Sequence, residues 1–355
     1  MTILTDNAPV EDVDVATLLG IPISAEQERA VKAPLKPCVV IAGAGTGKTT
    51  VMAARVVWLV ASRLVSPEEI LGLTFTNKAT AELSERIESN LTRVGLLKPE
   101  QPRPTVVTYD SFAGTLVNDY GAWDGINTRA HLITGARAYQ LATEVVMGLD
   151  KAPLAATHMG PTSIAQAVVK LAGAMASHDA SPDKVRRADA RWRQMLLDAP
   201  TKKGGDRYAD VDKWLSRVDE REELLDLVAA YQDLKKERGL VEFGDRMVQA
   251  LHLVTHHQRV GEDLRARYRV VLLDEYQDTS SAQADVLAAL FSGPDPAHGM
   301  GHPVMAVGDP LQAIYEWRGA AASNILEFHR RFPDGAGQPA QVLSLATNRR
   351  CADQI

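Results

Sequence analysis

The feature of this sequence that most constrains its fold is a series of short apolar runs, each followed at once by polar or glycine-rich residues. The runs are Cys38–Ile41, Ile70–Phe75, Thr105–Thr108, Val270–Leu273, Val304–Val307 and Gln341–Leu345. Continuous apolar runs of this length are typical of strands buried on both faces of a parallel sheet. Helical patterns separate them, as in Thr49–Leu64, Ser281–Phe291 and Ala321–Arg331. This alternation predicts an open α/β fold with right-handed crossovers.

The middle of the chain has a different pattern, because strand-like runs are few between about residues 120 and 240. Apolar residues there recur at helical spacing among charged ones, as at Leu224, Leu227, Val228, Tyr231 and Leu234. We therefore predict a mainly helical insertion between the third and fourth strands. The predicted organisation is a flexible N-terminus (1–20), a first part of the α/β domain (21–118), the insertion (119–238) and a second part of the α/β domain (239–345).

Basic residues are concentrated in one part of this insertion, residues 183–207, which holds few acids. They are Lys184, Arg186, Arg187, Arg191, Arg193, Lys202, Lys203 and Arg207. One interpretation is a solvated helix face followed by a loop at Gly204–Gly205, since runs of charge are common on protein surfaces. The other is a patch that faces DNA, and the sequence leaves both open.

The overall composition is that of a soluble globular protein, with 45% hydrophobic and 24% charged residues. The formal net charge of −6 excludes a generally basic nucleic-acid-binding coat, although a groove can still be locally positive. The two cysteines, Cys38 and Cys351, cannot form a disulfide framework or a CxxC zinc site, which favours a reducing, cytoplasmic location. The longest apolar stretches are far shorter than the ~20 residues that span a bilayer, so we expect no membrane partner.

The strongest local motif is AGAGTGKT, which follows the first apolar run and opens a predicted helix, the context that a P-loop requires. Glycines allow backbone N–H groups to close around phosphates, and the helix N-terminus adds positive potential. We expect Lys48 to reach the β- and γ-phosphates of a nucleotide and the Thr49 hydroxyl to bind Mg²⁺. The predicted nucleotide-binding residues of this segment are Ala42, Gly43, Ala44, Gly45, Thr46, Gly47, Lys48, Thr49 and Thr50. The alternative is an ordinary glycine-rich turn at a strand end.

A second motif, VVLLDEYQDTS, is an apolar strand that ends in two adjacent carboxylates, Asp274 and Glu275. Asp274 can hold Mg²⁺ through water, and Glu275 can orient and deprotonate the attacking water in phosphoryl transfer. Alone, this pattern also fits an acidic pair on a surface turn. Its combination with a P-loop favours nucleotide hydrolysis.

A third motif, VGDPLQAIYEWRGA, places Gln312, Tyr315, Trp317 and Arg318 after another apolar run. An amide near a γ-phosphate can sense it by hydrogen bonding, and aromatic residues beside cations suit base stacking on a single strand. The alternative for both aromatic residues is core packing. Because all three motifs follow strand ends, which meet at one edge of a parallel sheet, we expect them to converge on one nucleotide.

Together these motifs resemble those of the UvrD/Rep/PcrA-type superfamily 1 DNA helicases, in family order and over almost the whole chain. Gln27 matches the Q motif, which reads adenine, and Val241–Asp245 resembles the segment that returns from an inserted subdomain. The other matches are Thr74–Ala79 with motif Ia, Thr108–Phe112 with motif Ib, Asp274–Thr279 with motif II, Gly308–Ala320 with motif III and Leu345–Arg350 with motif IV. The resemblance implies a RecA-like P-loop domain with ATP and Mg²⁺ as cofactors.

The resemblance also implies residue roles. Gln312 and Arg318 match positions that couple nucleotide state to DNA, and Arg350 matches an arginine that reaches the γ-phosphate across the cleft. The positions that contact single-stranded DNA match Phe75, Asn77, Tyr109, Ser111, Tyr315 and Trp317. The helical insertion corresponds to a subdomain, called 1B, over which duplex DNA runs. The implied function is an ATP-dependent, 3′ to 5′ translocase or helicase at single-strand/duplex junctions, in DNA repair or recombination.

Three positions depart from the family pattern. Asp110 stands where the family usually has His, and an acid beside a DNA phosphate repels it unless a neighbour donates a bond to the acid. Arg349 stands where a Tyr usually stacks on adenine, although a guanidinium plane can also stack on a base. Thr50 stands where a cation often follows the P-loop.

The local sequence around the P-loop and in FAGTLVNDYG is most similar to RecB-like motor subunits of actinobacterial AdnAB-type helicase–nucleases. This resemblance implies a heteromeric partner subunit. We expect residues 346–355 to begin a truncated second motor domain and the chain to be the N-terminal part of a longer helicase. The alternative is a non-catalytic half-motor that binds ATP and DNA and regulates another helicase. A P-loop kinase or AAA-type ATPase fits poorly, because the DEYQDT string does not suit those classes.

Overall fold

The computed structural model describes residues 14–149, 159–316 and 319–350, and the chain divides into two compact units. The first unit comprises the residues up to Tyr120 and those from Ala250 onward, and the second unit comprises Gly121–Gln249. The predicted insertion, residues 119–238, ends earlier in the chain than this second unit. Each unit has its own core.

The first unit is built on a six-stranded sheet in which every described pairing is parallel, with the strand order β3-β2-β6-β7-β1-β8. Its strands are β1 (Cys38–Ala42), β2 (Ile70–Thr74), β3 (Thr105–Thr108), β6 (Val270–Leu273), β7 (Val304–Gly308) and β8 (Gln341–Leu345). These strands coincide with the apolar runs to within one residue, and the predicted α/β fold with a parallel sheet is confirmed.

Burial along the strands follows their place in the sheet. The central strands β2, β6 and β7 are buried at every residue and β1 at all but one, whereas the edge strands β3 and β8 are partly exposed. Continuous apolar sequence therefore marks the middle of the sheet, where helices cover both faces. In the edge strand β8, which pairs on one side only, Gln341, Val342 and Ser344 are exposed.

Helices connect the strands of the first unit and form the second unit almost entirely. They are α1 (Val15–Leu19), α2 (Ala25–Val31), α3 (Lys48–Ala61), α4 (Asn77–Arg93), α5 (Tyr109–Tyr120), α6 (Gly135–Met147), α7 (Pro161–Ser177), α8 (Pro182–Leu197), α9 (Ala209–Glu237), α10 (Phe243–His256), α11 (Gln258–Arg267), α12 (Ser281–Phe291) and α13 (Ser323–Arg331). None of the described helices is long and apolar enough to cross a membrane.

The N-terminal segment differs from the predicted flexible terminus within its described part. Helix α1 is capped by the Asp14 side chain, which accepts from the backbone N–H groups of Ala16 and Thr17. Val15 and Leu19 of this helix are buried in the core of the first unit. Their burial fixes the helix to the domain, and residues 1–13 lie outside the described part of the chain.

The second unit packs α6, α7 and α9 around a core that includes Leu141, Val168 and Tyr231. A short parallel pair of strands, β4 (His131–Leu132) and β5 (Leu240–Val241), joins its two ends. The pair was not predicted, because two residues are too few to show a pattern. The helical character of the region agrees with the spacing of its apolar residues.

Candidate nucleotide-hydrolysis site

The P-loop follows β1 and adopts a conformation that depends on glycine. Gly45 has a φ of 74° and Gly47 a φ of 91°, in the left-handed region that favours glycine. A Cβ on Gly45 would lie 2.5 Å from Asn348 Oδ1, and one on Gly47 would lie 2.8 Å from Gln27 Nε2. Gly47 is also the N-cap of α3 and has no side chain with which to cap the first turn. The N–H groups of that turn are therefore left open for an anion.

The ammonium of Lys48 joins three of the motifs. Its Nζ lies 3.3 Å from Glu275 Oε2 and donates to Gln312 Oε1 at 3.5 Å. Gln312 Nε2 in turn donates to Asp309 Oδ2 at 2.5 Å. The predicted convergence of Lys48, Glu275 and Gln312 thus appears in the contacts of their side chains, although the catalytic roles of these residues stay predictions.

The two carboxylates after β6 occupy different environments. Asp274 is buried, and burial together with the negative charge of Glu275 raises the pKa of Asp274 to about 7. Glu275 is partly exposed and sits in the left-handed region with a φ of 45°, which strains a residue that carries a Cβ by about 1–2 kcal/mol. Strained backbone of this kind persists only where the surrounding structure holds it in place, and it is found mostly at functional sites.

A third acid, Asp278, extends this group, and burial with the charge of Glu275 raises its pKa to about 6. A nearby cation would relieve the repulsion between the charge of Glu275 and these two buried acids. The oxygen donors of Asp274 and Thr49 are of the kind that Mg²⁺ prefers. The described residues contain no cluster of three or more His, Cys, Asp or Glu arranged to hold a metal. This donor set fits Mg²⁺ that is shared with nucleotide phosphates.

Gln27 connects the P-loop to the helix that precedes β1. Its Nε2 donates to the Thr46 carbonyl oxygen at 2.9 Å, and its Oε1 accepts from the backbone N–H of Ser24 at 3.0 Å in a capping box. The side chain is buried, 6% exposed. Gln27 therefore supports the P-loop directly, and its predicted contact with adenine requires the amide to be shared or released.

The segment after β8, which matches motif IV, contacts the P-loop. The backbone N–H of Arg349 donates to the Gly45 carbonyl oxygen at 2.9 Å, and that of Arg350 donates to Asn348 Oδ1 at 2.9 Å. Both arginine side chains are exposed. Their predicted roles, stacking on adenine for Arg349 and contacting the γ-phosphate for Arg350, remain predictions.

Four of the predicted DNA-contacting residues are exposed or half-buried in the first unit. Phe75, after β2, and Tyr315, after β7, are half-buried, and their rings form a tilted pair with a centroid distance of 4.8 Å and an interplanar angle of 32°. Asn77 and Ser111 are exposed. Trp317 and Arg318 were also predicted to contact or sense DNA, and both lie outside the described residues.

Tyr109 is placed differently from the prediction. It is 3% exposed, and its hydroxyl donates to the carbonyl oxygen of Asp274 at 2.9 Å. A buried ring does not stack on a DNA base, so this geometry argues against the predicted contact. The hydroxyl instead ties the start of α5 to the end of β6. The sequence did not reveal this, since an aromatic residue after a strand fits both core and surface.

The contacts of Asp110 reduce the repulsion expected between an acid at position 110 and a DNA phosphate. Its Oδ1 accepts a hydrogen bond from Gln283 Nε2 at 3.0 Å, and burial raises its pKa although that bond opposes the effect. A carboxyl group that is hydrogen-bonded and more easily neutralised repels a neighbouring phosphate less than a free carboxylate does.

Sequence reasoning missed three residues around this site. Arg86, from α4, donates to the Thr50 hydroxyl at 2.9 Å and so brings a cation to the position where Thr50 replaces one. Gln277 bonds to Glu275, and Arg55 is a buried guanidinium that supports α2. A possible signal for Gln277 was its place within the DEYQDT string. For Arg55 and Arg86 no local pattern exists, because their partners lie on other elements.

Several arginines of the basic stretch are neutralised within the second unit. Arg186 bonds Glu222 at 2.7 Å and Asp226 at 2.8 Å, and Arg207 bonds Asp212 at 2.9 Å. Further ion pairs join Arg193 to Asp219 and Arg221 to Asp189. Two of the eight basic residues of the stretch, Arg186 and Arg193, therefore fasten α8 to α9, which favours the structural interpretation for these two arginines.

Comparison with known proteins is consistent with this geometry. Residues 23–333 match the family described as the UvrD/REP helicase N-terminal domain. The chain is 28% identical to the probable DNA helicase II homolog of Rickettsia conorii over 334 residues, which is 92% of this chain and 42% of that protein. It is 29% identical over 343 residues to the ATP-dependent DNA helicase UvrD1 of Mycobacterium leprae, covering 93% of this chain and 38% of that protein. For DNA helicase II of Haemophilus influenzae the identity is 28% over 344 residues, covering 97% and 40%. The chain thus spans about two fifths of the length of these relatives.

Proposed function

This chain belongs to the UvrD/REP helicase family, and we propose on that premise that it is the nucleotide-hydrolysing part of an ATP-dependent DNA translocase or helicase. The observation that carries the proposal is the position of the Lys48 ammonium, 3.3 Å from Glu275 and 3.5 Å from Gln312. These groups follow three different strands of one parallel sheet. Their meeting at its carboxyl edge matches what phosphoryl transfer needs, which is positioning and charge stabilisation.

In this proposal each residue has a defined task. The P-loop N–H groups and Lys48 would bind the phosphates, and the Thr49 hydroxyl, together with Asp274 through water, would hold Mg²⁺. Magnesium ATP supplies the scissile phosphoanhydride bond and a cation that neutralises charge on the phosphates. Glu275 accepts a proton from the attacking water, and the Gln312 amide hydrogen-bonds where the γ-phosphate charge develops.

The DNA-binding part of the proposal rests on the surface around Phe75 and Tyr315. Phe75 and Tyr315 form a tilted pair of half-buried rings at the same sheet edge as the P-loop, and aromatic rings beside a nucleotide site suit stacking of unpaired bases. Gln312 lies three residues before Tyr315, so a change at the nucleotide can reach the base platform through one short segment. Single-strand binding, 3′ to 5′ polarity, action at junctions and a role in repair are proposed on the family resemblance. A nuclease-bearing partner subunit stays a prediction.

The experiment is phosphate release by the full-length protein with and without single-stranded DNA, together with unwinding of duplexes that carry a 3′ or a 5′ tail. We expect DNA-stimulated hydrolysis and unwinding only from the 3′ tail. Lys48→Ala should lower hydrolysis by at least about 100-fold, because it removes the cation that binds the phosphates. The matched control is Lys36→Ala, a largely exposed lysine outside the site.

The outcomes separate the candidate functions. Nucleotide and DNA binding by wild-type protein without hydrolysis would favour the regulatory half-motor. Hydrolysis that Lys48→Ala leaves unchanged would contradict the assignment of the site. Unwinding from the 5′ tail would contradict the polarity alone.

A further inference from the structure

Gln277 lies at the carboxyl edge of the sheet, two residues after Glu275, and its side chain is buried, 1% exposed. It belongs to the helical turn Tyr276–Asp278 that follows Glu275. Its Nε2 donates to Glu275 Oε2 at 2.9 Å and to Asp278 Oδ2 at 3.2 Å, while its Oε1 accepts from the backbone N–H of Asp309 at 3.0 Å. The amide is thereby held by groups that follow two neighbouring strands, β6 and β7.

The end of β7 is shaped to admit this side chain. A Cβ on Gly308 would lie 2.1 Å from Gln277 Oε1 and 2.7 Å from Ile325 Cδ1. No real Cβ makes so close a contact, so any other residue at position 308 would displace the amide. The close approach of Gln277 to the β7 backbone is therefore built into two positions of the fold, Gln277 itself and Gly308.

These contacts close a ring of hydrogen bonds and an ion pair. Lys48 Nζ contacts Glu275 Oε2, Glu275 Oε2 accepts from Gln277, and Gln277 accepts from the Asp309 backbone. Asp309 Oδ2 accepts from Gln312 Nε2, and Gln312 Oε1 accepts from Lys48. Gln277 is thus the buried link between the carboxylate and the amide that face the nucleotide.

The contacts on Glu275 decide which of its oxygens can act. Both side-chain contacts that the structure describes for this carboxylate fall on Oε2, one from Lys48 and one from Gln277. The other oxygen, Oε1, is left to accept a proton from water. When phosphate oxygens compete for the Lys48 ammonium, Gln277 is the remaining contact that fixes the rotation of the carboxylate.

We propose that Gln277 is a positioning residue for catalysis, which orients Glu275 through Nε2 and links it through the Asp309 backbone to Gln312. The inference rests on the proposed role of Glu275 as the base. Because Gln277 is proposed to contact neither the nucleotide nor the attacking water, its replacement should lower kcat and leave nucleotide affinity unchanged. A misplaced general base typically loses about 10²-fold in rate, and loss of a base altogether about 10²–10⁴-fold.

The test compares two variants of the full-length protein, Gln277→Glu and Gln277→Met, by the kcat and KM for ATP hydrolysis and by the Kd for ATP. Glu keeps the shape and the acceptor for Asp309 but cannot donate to Glu275, and Met keeps the size without adding a charge. The matched control is Gln258→Glu, because Gln258 also donates to a carboxylate, Glu262, at 3.1 Å but is exposed and lies outside the ring. Thermal melts followed by circular dichroism check that each variant is folded.

We expect kcat to fall about 10- to 100-fold in both Gln277 variants, with the Kd for ATP within threefold of wild type, and Gln258→Glu to keep kcat within twofold. Folded Gln277 variants with wild-type kcat would overturn the proposal. A loss of nucleotide affinity equal to the loss of kcat, or an equal loss of kcat in Gln258→Glu, would show a merely structural role and overturn it too. Absence of hydrolysis in wild-type protein would instead refute the proposed function.

Discussion

Replacement of Arg55 by Met should destabilise the first unit and loosen the helix that carries Gln27. Arg55 lies in α3 and is 1% exposed. Its Nη1 donates to the carbonyl oxygens of Ala30 at 3.3 Å, Val31 at 3.0 Å and Ala33 at 2.8 Å. Its Nη2 donates to a fourth carbonyl, that of Pro34, at 3.2 Å. One guanidinium therefore satisfies the carbonyl groups at the C-terminal end of α2.

The magnitude follows from what the substitution leaves behind. Three of the accepting residues, Ala30, Val31 and Ala33, are buried, so their carbonyl oxygens would face an apolar side chain. Each buried acceptor left without a donor costs about 1–3 kcal/mol of stability. Removing a buried charge offsets part of this loss, because burial lowers the pKa of Arg55 by disfavouring its charged form. We expect a net loss of about 3–5 kcal/mol in the free energy of unfolding, as when one partner of a buried charged contact is removed.

Two further variants make the assay specific. Arg55→Lys keeps the charge but not the fork that reaches several carbonyls, so we expect about half of the loss. Arg29→Met makes the same change at an exposed arginine of α2 and should lie within about 0.5 kcal/mol of wild type. Hydrogen exchange followed by mass spectrometry on the peptide that covers α2 reports local opening, and urea unfolding reports the whole unit.

A functional consequence should accompany the loss of stability. Because Gln27 contacts the Thr46 carbonyl of the P-loop, loosening α2 should also weaken nucleotide binding in Arg55→Met. Unchanged exchange in α2, with an unfolding free energy within about 1 kcal/mol of wild type, would refute the idea that buried carbonyl groups depend on this guanidinium.

Two further predictions concern other buried ionisable groups. Lys235 has a side chain that is 2% exposed, and its ammonium bonds Glu242 at 2.7 Å and Asp245 at 2.6 Å. Lys235→Met should therefore lower the free energy of unfolding of the second unit by about 3–5 kcal/mol in urea unfolding. A loss below about 1 kcal/mol would contradict this prediction. Burial lowers the pKa of His302 to about 4, so the unfolded chain binds the extra proton first and stability should fall as the pH drops from about 6.5 to 4. His302→Gln should flatten this part of the pH profile, and an unchanged profile would show that the acid sensitivity lies elsewhere.

The strands were predictable because burial on both faces of the sheet demands an unbroken apolar run. Val270–Leu273 was predicted to the residue, and the helix Ser281–Phe291 was as well. Strand ends in turn predicted that Lys48 and Glu275 would meet, since parallel strands bring their carboxyl ends to one edge. These conclusions need only local pattern and topology.

What the sequence did not predict depends on partners that are distant along the chain. Arg55 sits in the apolar stretch MAARVVWLV, where nothing distinguishes a buried guanidinium from an exposed one until α2 packs against α3. The Tyr109 hydroxyl donates a hydrogen bond to the Asp274 carbonyl, which the fold brings next to it. Arg86 likewise donates to Thr50 because α4 lies beside the start of α3. The short β4–β5 pair is fixed by the ends of a helical unit.

The basic stretch of residues 183–207, for which the sequence left two interpretations open, also shows the limit of local pattern. Counting Lys and Arg in one stretch could not reveal that Arg186 and Arg193 face acids of α9, because those acids come about 30 residues later in the chain. Pairing of α8 with α9 neutralises these two arginines, and the DNA-facing interpretation of the other basic residues in the stretch stays open. A count of charge along the sequence does not report the charge that remains free at a surface.

The most direct test of the account is the replacement of Glu275 by Gln in the full-length protein, with nucleotide affinity and single-turnover hydrolysis measured side by side. The exposed Glu28→Gln is the matched control, because it makes the same change in a surface ion pair with Lys32. We predict that Glu275→Gln binds ATP within about threefold of wild type but hydrolyses it about 10²–10⁴-fold more slowly, since only the base is lost. Hydrolysis at the wild-type rate in this variant would contradict the central claim that Glu275 activates the attacking water.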